Sequence, residues 1–253
     1  KQVVGQLLQD KENLSKFIEE GGADLLSEAI RWLSSLEDKK LVIEKLKKLE
    51  PDDMGKLNSM ISLNSLNNIL ETWKQNKNNH SEEFWQKLFK SNAWILAQVF
   101  SQPMFIFKDK AYVGGKSFDN QGGQLVDFIY KNNLTENAAL IEIKTPATRL
   151  LSSQYRDNVY SVSGDLSGSI NQILSYKEDL QINIDNLNRG SKQKLRPFDP
   201  KCILIIGSFE MEKLNAVQHK SFEIFRSNLK SLEILTFDEL FGKIELSIQL
   251  LQA

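Results

Sequence analysis

Apolar residues recur at spacings of three and four through residues 1–79: Val3, Leu7, Leu8, Leu14, Phe17 and Ile18, then Leu25, Leu26, Ile30 and Leu33, then Leu41, Val42, Leu46 and Leu49. That period puts them on one stripe of successive α-helices. Breaks fall at Gly21-Gly22 and at Pro51, where Pro51-Asp52-Asp53 supplies the proline and acids favoured in a helix's first turn. Leu57, Ile61, Leu63, Leu66, Ile69 and Leu70 continue the stripe to a polar stretch from Lys74 to Asn79. The pattern predicts a small all-α domain over 1–79 and a second domain over 80–253.

From Ser81 the period changes. Ser81, followed by Glu82 and Glu83, has the composition of a helix N-terminus, and Phe84, Trp85, Leu88 and Phe89 form its apolar stripe. Short β-prone runs follow at Pro103–Phe107 and Ala111–Val113. Gln124–Tyr130 and Ala138–Lys144 flank a polar connection suited to a hairpin. After a long polar stretch, Asp165–Leu180 reads as a helix, and Cys202–Ile206, closed by Gly207, as a buried strand. A helix from Met211 to about Leu229, a strand Leu232–Thr236 and a helix from Phe237 complete an α/β pattern with a mixed sheet. Gly114-Gly115 reads as a tight turn between strands.

Composition narrows the classes. With 41% hydrophobic residues the chain can bury a sizeable core, and its one cysteine, Cys202, excludes an intrachain disulfide framework. No apolar run approaches the length of a membrane span, and no signal-peptide core precedes residue 80. These features predict a cytoplasmic protein without membrane association. The chain opens at Lys1, which fits an excerpt of a longer protein. Lys plus Arg (32) balance Asp plus Glu (33), so any site for a polyanion must be local.

Two acids stand out. Asp127 in Leu-Val-Asp-Phe-Ile-Tyr and Glu142 in Leu-Ile-Glu-Ile-Lys-Thr-Pro are carboxylates inside apolar strands, where an unpartnered charge is costly. Strand alternation puts Glu142 and Lys144 on one face. Two such acids can share a divalent metal, and Mg²⁺ suits oxygen ligands while keeping waters that a phosphate can replace. The triplet of acid, any residue and lysine occurs four times in the chain, so the triplet alone is uninformative. Its place on an apolar strand next to another acid-bearing strand is what distinguishes Glu142-Ile143-Lys144. A structural ion pair of Lys144 with Asp127 or Glu142 remains the alternative at this point.

The acid on one strand and Glu-Ile-Lys on the next resemble the PD-(D/E)XK nuclease superfamily. A longer series is similar to the nuclease domain of Shedu anti-phage proteins: Phe84-Trp85-Gln86 through Asn92, Val113-Gly114-Gly115, Asp127-Phe128-Ile129-Tyr130, Glu142-Ile143-Lys144-Thr145-Pro146, Tyr155-Arg156 and Gln172 to Tyr176. It covers roughly residues 80–210. One departure is that Val126 stands where the superfamily's namesake proline would precede the first acid.

The resemblance implies a restriction-endonuclease-like mixed sheet flanked by helices, and Mg²⁺-dependent hydrolysis of DNA phosphodiesters in bacterial defence, with Mn²⁺ substituting. It implies that Asp127 and Glu142 hold metal, that Lys144 assists the attacking water, and that a glutamate on the preceding helix, Glu83 in preference to Glu82, completes the site. It also places Gln172 nearby through a Gln-x-x-x-Tyr element with Tyr176. The implied partners are double-stranded phage DNA and further copies of the chain, with the helical part restraining cleavage. A DNA-binding or assembly module with this fold and little catalysis is the competing expectation.

Arg189, Lys192, Lys194, Arg196 and Lys201 lie within thirteen residues and form a candidate DNA-backbone contact. Arg149 and Arg156, just downstream of Lys144, are candidates for flanking phosphates. Trp85 and Phe89 fit helix packing, and Trp32 and Trp73 fit either core or interface.

Overall fold

The computed structural model describes residues 51–116, 122–189 and 191–252. The helices expected before Pro51, with Trp32, lie outside the described residues. Two compact units divide the chain, Lys1–Ser62 and Leu63–Ala253. Of the first, the described residues are the opening of helix α1 (Pro51–Asn76), which begins at the expected proline and runs on into the second unit.

The second unit is an α/β structure. Helices α2 (Glu82–Ser91) and α3 (Ala93–Ala97) lead into β1 (Met104–Lys116), β2 (Gly122–Asn132) and β3 (Ala138–Ile143). A separate hairpin of β4 (Leu151–Arg156) and β5 (Val159–Val162) precedes the long helix α4 (Gly164–Asn188). Then come β6 (Lys201–Ile205), α5 (Phe209–Glu212), α6 (Ala216–Ser227), β7 (Leu232–Leu235) and α7 (Phe237–Gln252). The sheet order is β1-β2-β3-β6-β7. β1, β2 and β3 pair antiparallel, whereas β3, β6 and β7 pair parallel, so the sheet is mixed and helices flank it on both faces.

Strand alternation explains the two faces. Ala139, Ile141 and Ile143 of β3 join Ile203 and Ile205 of β6 in a core with Trp73, Trp85, Phe89, Phe237 and Phe241. Ala138 and Leu140 join Cys202 and Leu204 in a second core with Leu166, Ile173 and Leu180 of α4 and Phe222 of α6. β3 is buried along its whole length because a neighbour and a helix layer cover every side. Among the described residues no helix is long and apolar enough to cross a membrane.

The structure departs from the sequence reading in four places. Leu66, Ile69, Leu70 and Trp73 are core residues of the α/β unit, which therefore reaches back to Leu63 and not only to residue 80. Gly114 is not in a turn: it lies inside β1 at a register shift, with φ of 142°, and a Cβ there would collide with the Asn183 side-chain amide. The polar stretch before α4 folds as the β4–β5 hairpin, and α4 continues to Asn188. The expected helix from Met211 is interrupted at Lys213, which takes a left-handed conformation.

Trp85 is fully buried, its ring meeting Trp73 edge-on at 5.8 Å and Phe237 at 4.9 Å, while its indole N–H donates to the Asn79 carbonyl at 3.0 Å. Trp85→Ala removes this whole contact set and is expected to cost about 4 kcal/mol of unfolding free energy. Urea titration measures it, and a loss below about 1 kcal/mol would contradict this packing.

Candidate active site

The hairpin of β2 and β3 brings the two acids together. Its register runs from Lys131↔Ala138 to Phe128↔Ile141, so the next positions, Asp127 and Glu142, face each other across the two strands. The turn is set by Asn132, whose side-chain oxygen accepts from the Leu134 and Thr135 amides at 2.8 and 3.2 Å. Beyond Phe128 the ladder changes character. The Ile143 amide donates to Asp127 Oδ2 at 2.9 Å. The Lys144 amide donates to the Ile205 carbonyl of β6 at 2.9 Å, which anchors the chain just past β3.

Both acids are buried: Asp127 is 3% exposed and Glu142 4%. Each has a lysine. Lys110 Nζ of β1 lies 2.9 Å from Asp127 Oδ1, and Lys144 Nζ lies 3.0 Å from Glu142 Oε1. Gln86 of α2 donates a further bond to Asp127 Oδ1 at 2.7 Å. Glu82, one helical turn before Gln86, places Oε1 3.7 Å from Lys144 Nζ. Glu142 Oε2 is buried without a hydrogen-bond partner. An orphaned carboxylate oxygen in the interior is costly, and a divalent cation with oxygen preference satisfies it.

The environment explains the protonation states. Burial, and then the charge of Asp127, raise the Glu142 carboxyl to about 7; Lys144 pulls the other way and Glu82 adds to the rise. Burial works against the charge on Lys144, yet the charge and hydrogen bond of Glu142, with Glu82 and Asp127, outweigh it and raise its pKa. Lys144 is therefore an ammonium donor at neutral pH and not a base.

Lys144 and Glu82 open onto a surface cleft of about 550 Å³ that Thr145, Thr148, Gly168 and Gln172 also line. Gln172 lines this cleft and donates to the Tyr176 hydroxyl at 2.7 Å. Glu83, the glutamate that the resemblance favoured, instead pairs with Lys87 one turn along α2 at 2.8 Å, and it is Glu82 that reaches Lys144. Arg149 is exposed beside the cleft residues Ala147 and Thr148, and Arg156 lies on β4 with its guanidinium 5.5 Å from the Tyr155 ring.

The basic segment is elsewhere. Arg196 pairs with Glu136 in the β2–β3 turn at 2.9 Å, and Lys194 and Lys192 flank it in sequence. That turn and the acids lie at opposite ends of β3, about 20 Å apart at ~3.3 Å per residue. A larger groove of about 900 Å³ follows β7, but its central charges are already matched, Arg226 with Glu239 at 2.7 Å and Lys201 with Glu233.

Lys110 and Gln86 are the site residues that the sequence reading misses. Gln86 carries a signal, since it stands four residues from Glu82. Lys110 carries none, because only the pairing of β1 with β2, which sets it across from Asp127, brings it to the site. Among the described residues no three His, Cys, Asp or Glu side chains converge as a complete metal cage. Two carboxylates and an open cleft suit a cation that completes its shell with waters and substrate phosphate.

Between about pH 4.5 and about 7 the folded protein keeps a proton on Glu142 that the unfolded chain has lost. This group's contribution to stability therefore falls as pH rises through that window. Without divalent ions, the native protein is expected to lose stability relative to Glu142→Gln as pH rises from about 5 to about 8. Thermal melts of both proteins across that range measure it, and a difference that stays flat or grows in the native protein's favour would contradict the burial described.

Comparison with known proteins identifies the family. A family model described as "Shedu protein SduA, C-terminal" matches residues 79–241, which contain every residue of the site. A Shedu protein SduA of Bacillus cereus (strain B4264) is 39% identical over 246 residues, covering 94% of this chain. The chain spans 64% of that relative's length. On the family match, the chain belongs to the Shedu protein SduA family.

Proposed function

We propose that this chain carries the catalytic part of a metal-dependent DNA endonuclease with the PD-(D/E)XK arrangement, acting in bacterial defence against phage. The observation that carries the reading is the pair of buried carboxylates on adjacent strands, one of which has an orphaned oxygen and is bonded to an ammonium, Lys144, that lines a surface cleft. Asp127 and Glu142 are the residues that would hold Mg²⁺ or Mn²⁺. When bound, such an ion supplies a Lewis acid for the phosphoryl oxygens and makes water more acidic.

The chain's own residues do the rest. Glu142 Oε2 offers a free lone pair, and ionisation near neutral pH makes it a ligand. Lys144 stays protonated and donates toward the cleft, where it orients the attacking water or stabilises charge growing on the phosphate. Glu82 sits beside that ammonium and fixes its direction. Gln172, across the same cleft, contributes an amide for water or phosphate. Arg149 and Arg156 extend the DNA contact beyond the cleft, and Lys192, Lys194 and Arg196 would meet only a duplex reaching past the far end of β3. The helical part preceding the nuclease part would restrain cleavage, and assembly into a homo-oligomer would place more than one such cleft on a duplex.

A second reading has its own support. Asp127 already receives three hydrogen bonds and Lys144 already pairs with Glu142, so each acid has its own lysine, as a DNA-binding module without catalysis would have. Supercoiled plasmid with Mg²⁺ separates the readings. The native chain is expected to nick or linearise it, and Lys144→Ala to slow this about 100-fold or more while keeping its fold by circular dichroism. Cleavage by folded Lys144→Ala at the native rate would remove the mechanism; no cleavage or metal binding by the native chain would favour the binding module.

A further inference from the structure

We propose that Lys110 is the resident counter-ion of Asp127 and competes with the divalent cation for Oδ1, so that the site accepts metal only as this ammonium leaves. This deepens the preceding reading and rests on it.

The backbone puts Lys110 there. Asp109↔Phe128 and Ala111↔Val126 pair on either side, so Lys110 stands directly across from Asp127 in the β1–β2 ladder. Its φ is 44°, a left-handed conformation that a lysine adopts only when its surroundings maintain it. The strain sits beside the candidate site, and the contact that accompanies it is the 2.9 Å bond from Nζ to Oδ1.

Three donors hold Asp127, and they are not equivalent. The Ile143 amide on Oδ2 is fixed by the sheet. Gln86 on Oδ1 is neutral and does not repel a cation. Lys110 on the same oxygen is positively charged, so an ion arriving at Oδ1 meets like charge as well as an occupied lone pair. The exposures complete the case: the Asp127 side chain is 4% exposed, whereas that of Lys110 is 53% exposed. The lysine reaches in from solvent and can withdraw its head without unpacking the core. Lys144 is a different case. It is 14% exposed, bound to Glu142 and near Glu82, and it faces the cleft. One ammonium thus belongs to the reaction space and the other stands in for a missing cation.

Calorimetric titration of the whole chain with Mn²⁺, at fixed pH and salt, tests the competition. Lys110→Met is expected to bind Mn²⁺ ~10-fold more tightly than the native protein. In EDTA it is expected to melt lower than the native protein, because Asp127 has lost its counter-charge, and saturating Mn²⁺ should close that gap. Lys110→Arg should keep native affinity. Lys110→Gln, which keeps a neutral donor and is the milder variant if Lys110→Met does not fold, should bind more tightly than native. Native or weaker Mn²⁺ affinity in the folded neutral variants, with a site present in the native protein, would overturn the proposal and leave the nuclease reading standing. No Mn²⁺ site in any of these proteins would overturn both.

Discussion

Placing two carboxylates side by side in the interior of a sheet is the constraint on which the rest depends. Both Asp127 and Glu142 are buried from solvent, and the charge of Asp127 raises the cost of charging Glu142. The surrounding structure supplies what solvent would: a backbone amide, a glutamine and two lysines drawn from β1, α2 and the end of β3. The offset is incomplete. Glu142 keeps an unpartnered oxygen and a carboxyl raised to about 7 by burial and by the charge of Asp127.

The fold serves that constraint. β3 sits between an antiparallel and a parallel neighbour, so its backbone is paired on both sides and its position is rigid. Alternation sends Ile141 and Ile143 into one core and leaves Glu142 on the α4 side, where Gly168 and Gln172 bound the cleft. The aromatic cluster of Trp73, Trp85, Phe237 and Phe241 fixes α2 against the sheet, and α2 delivers Glu82 and Gln86 to the acids. Stability and chemistry are therefore coupled through one helix. The acids lie deep, but the side chains bonded to them are polar and two are lysines, so the route to them is a matter of moving charge and not of unpacking hydrocarbon.

Much of this was legible in the chain. The hairpin, the facing acids and Lys144 follow from period-two alternation on either side of a polar turn, whereas Gln172 beside Tyr176 was implied by the family resemblance, helical spacing giving only their shared face. What was not legible depends on detail beyond periodicity. Glu82 and Glu83 are neighbours on a helix, and only its rotation against the sheet, set by Trp85 and Phe89, decides which one meets Lys144. Lys110 is placed by the pairing of β1 with β2 and by its own left-handed backbone, neither of which has a pattern in sequence. The segment from Arg189 to Lys201 reads as a candidate DNA-backbone contact from its charge alone, and its distance from the acids is not legible there: β6 runs parallel to β3, so that segment enters at the end opposite the acids. The β4–β5 hairpin escapes because β4 is exposed beyond its first residue and β5 is only four residues long, too short for its alternation to register.

A crystal of this protein soaked in Mn²⁺ and measured at the manganese absorption edge tests the central claim most directly. The account expects an anomalous peak between Asp127 and Glu142, within bonding distance of an Asp127 carboxylate oxygen and of Glu142 Oε2. A fully occupied manganese bound elsewhere, with Asp127 and Glu142 still engaged only with their lysines, would contradict it.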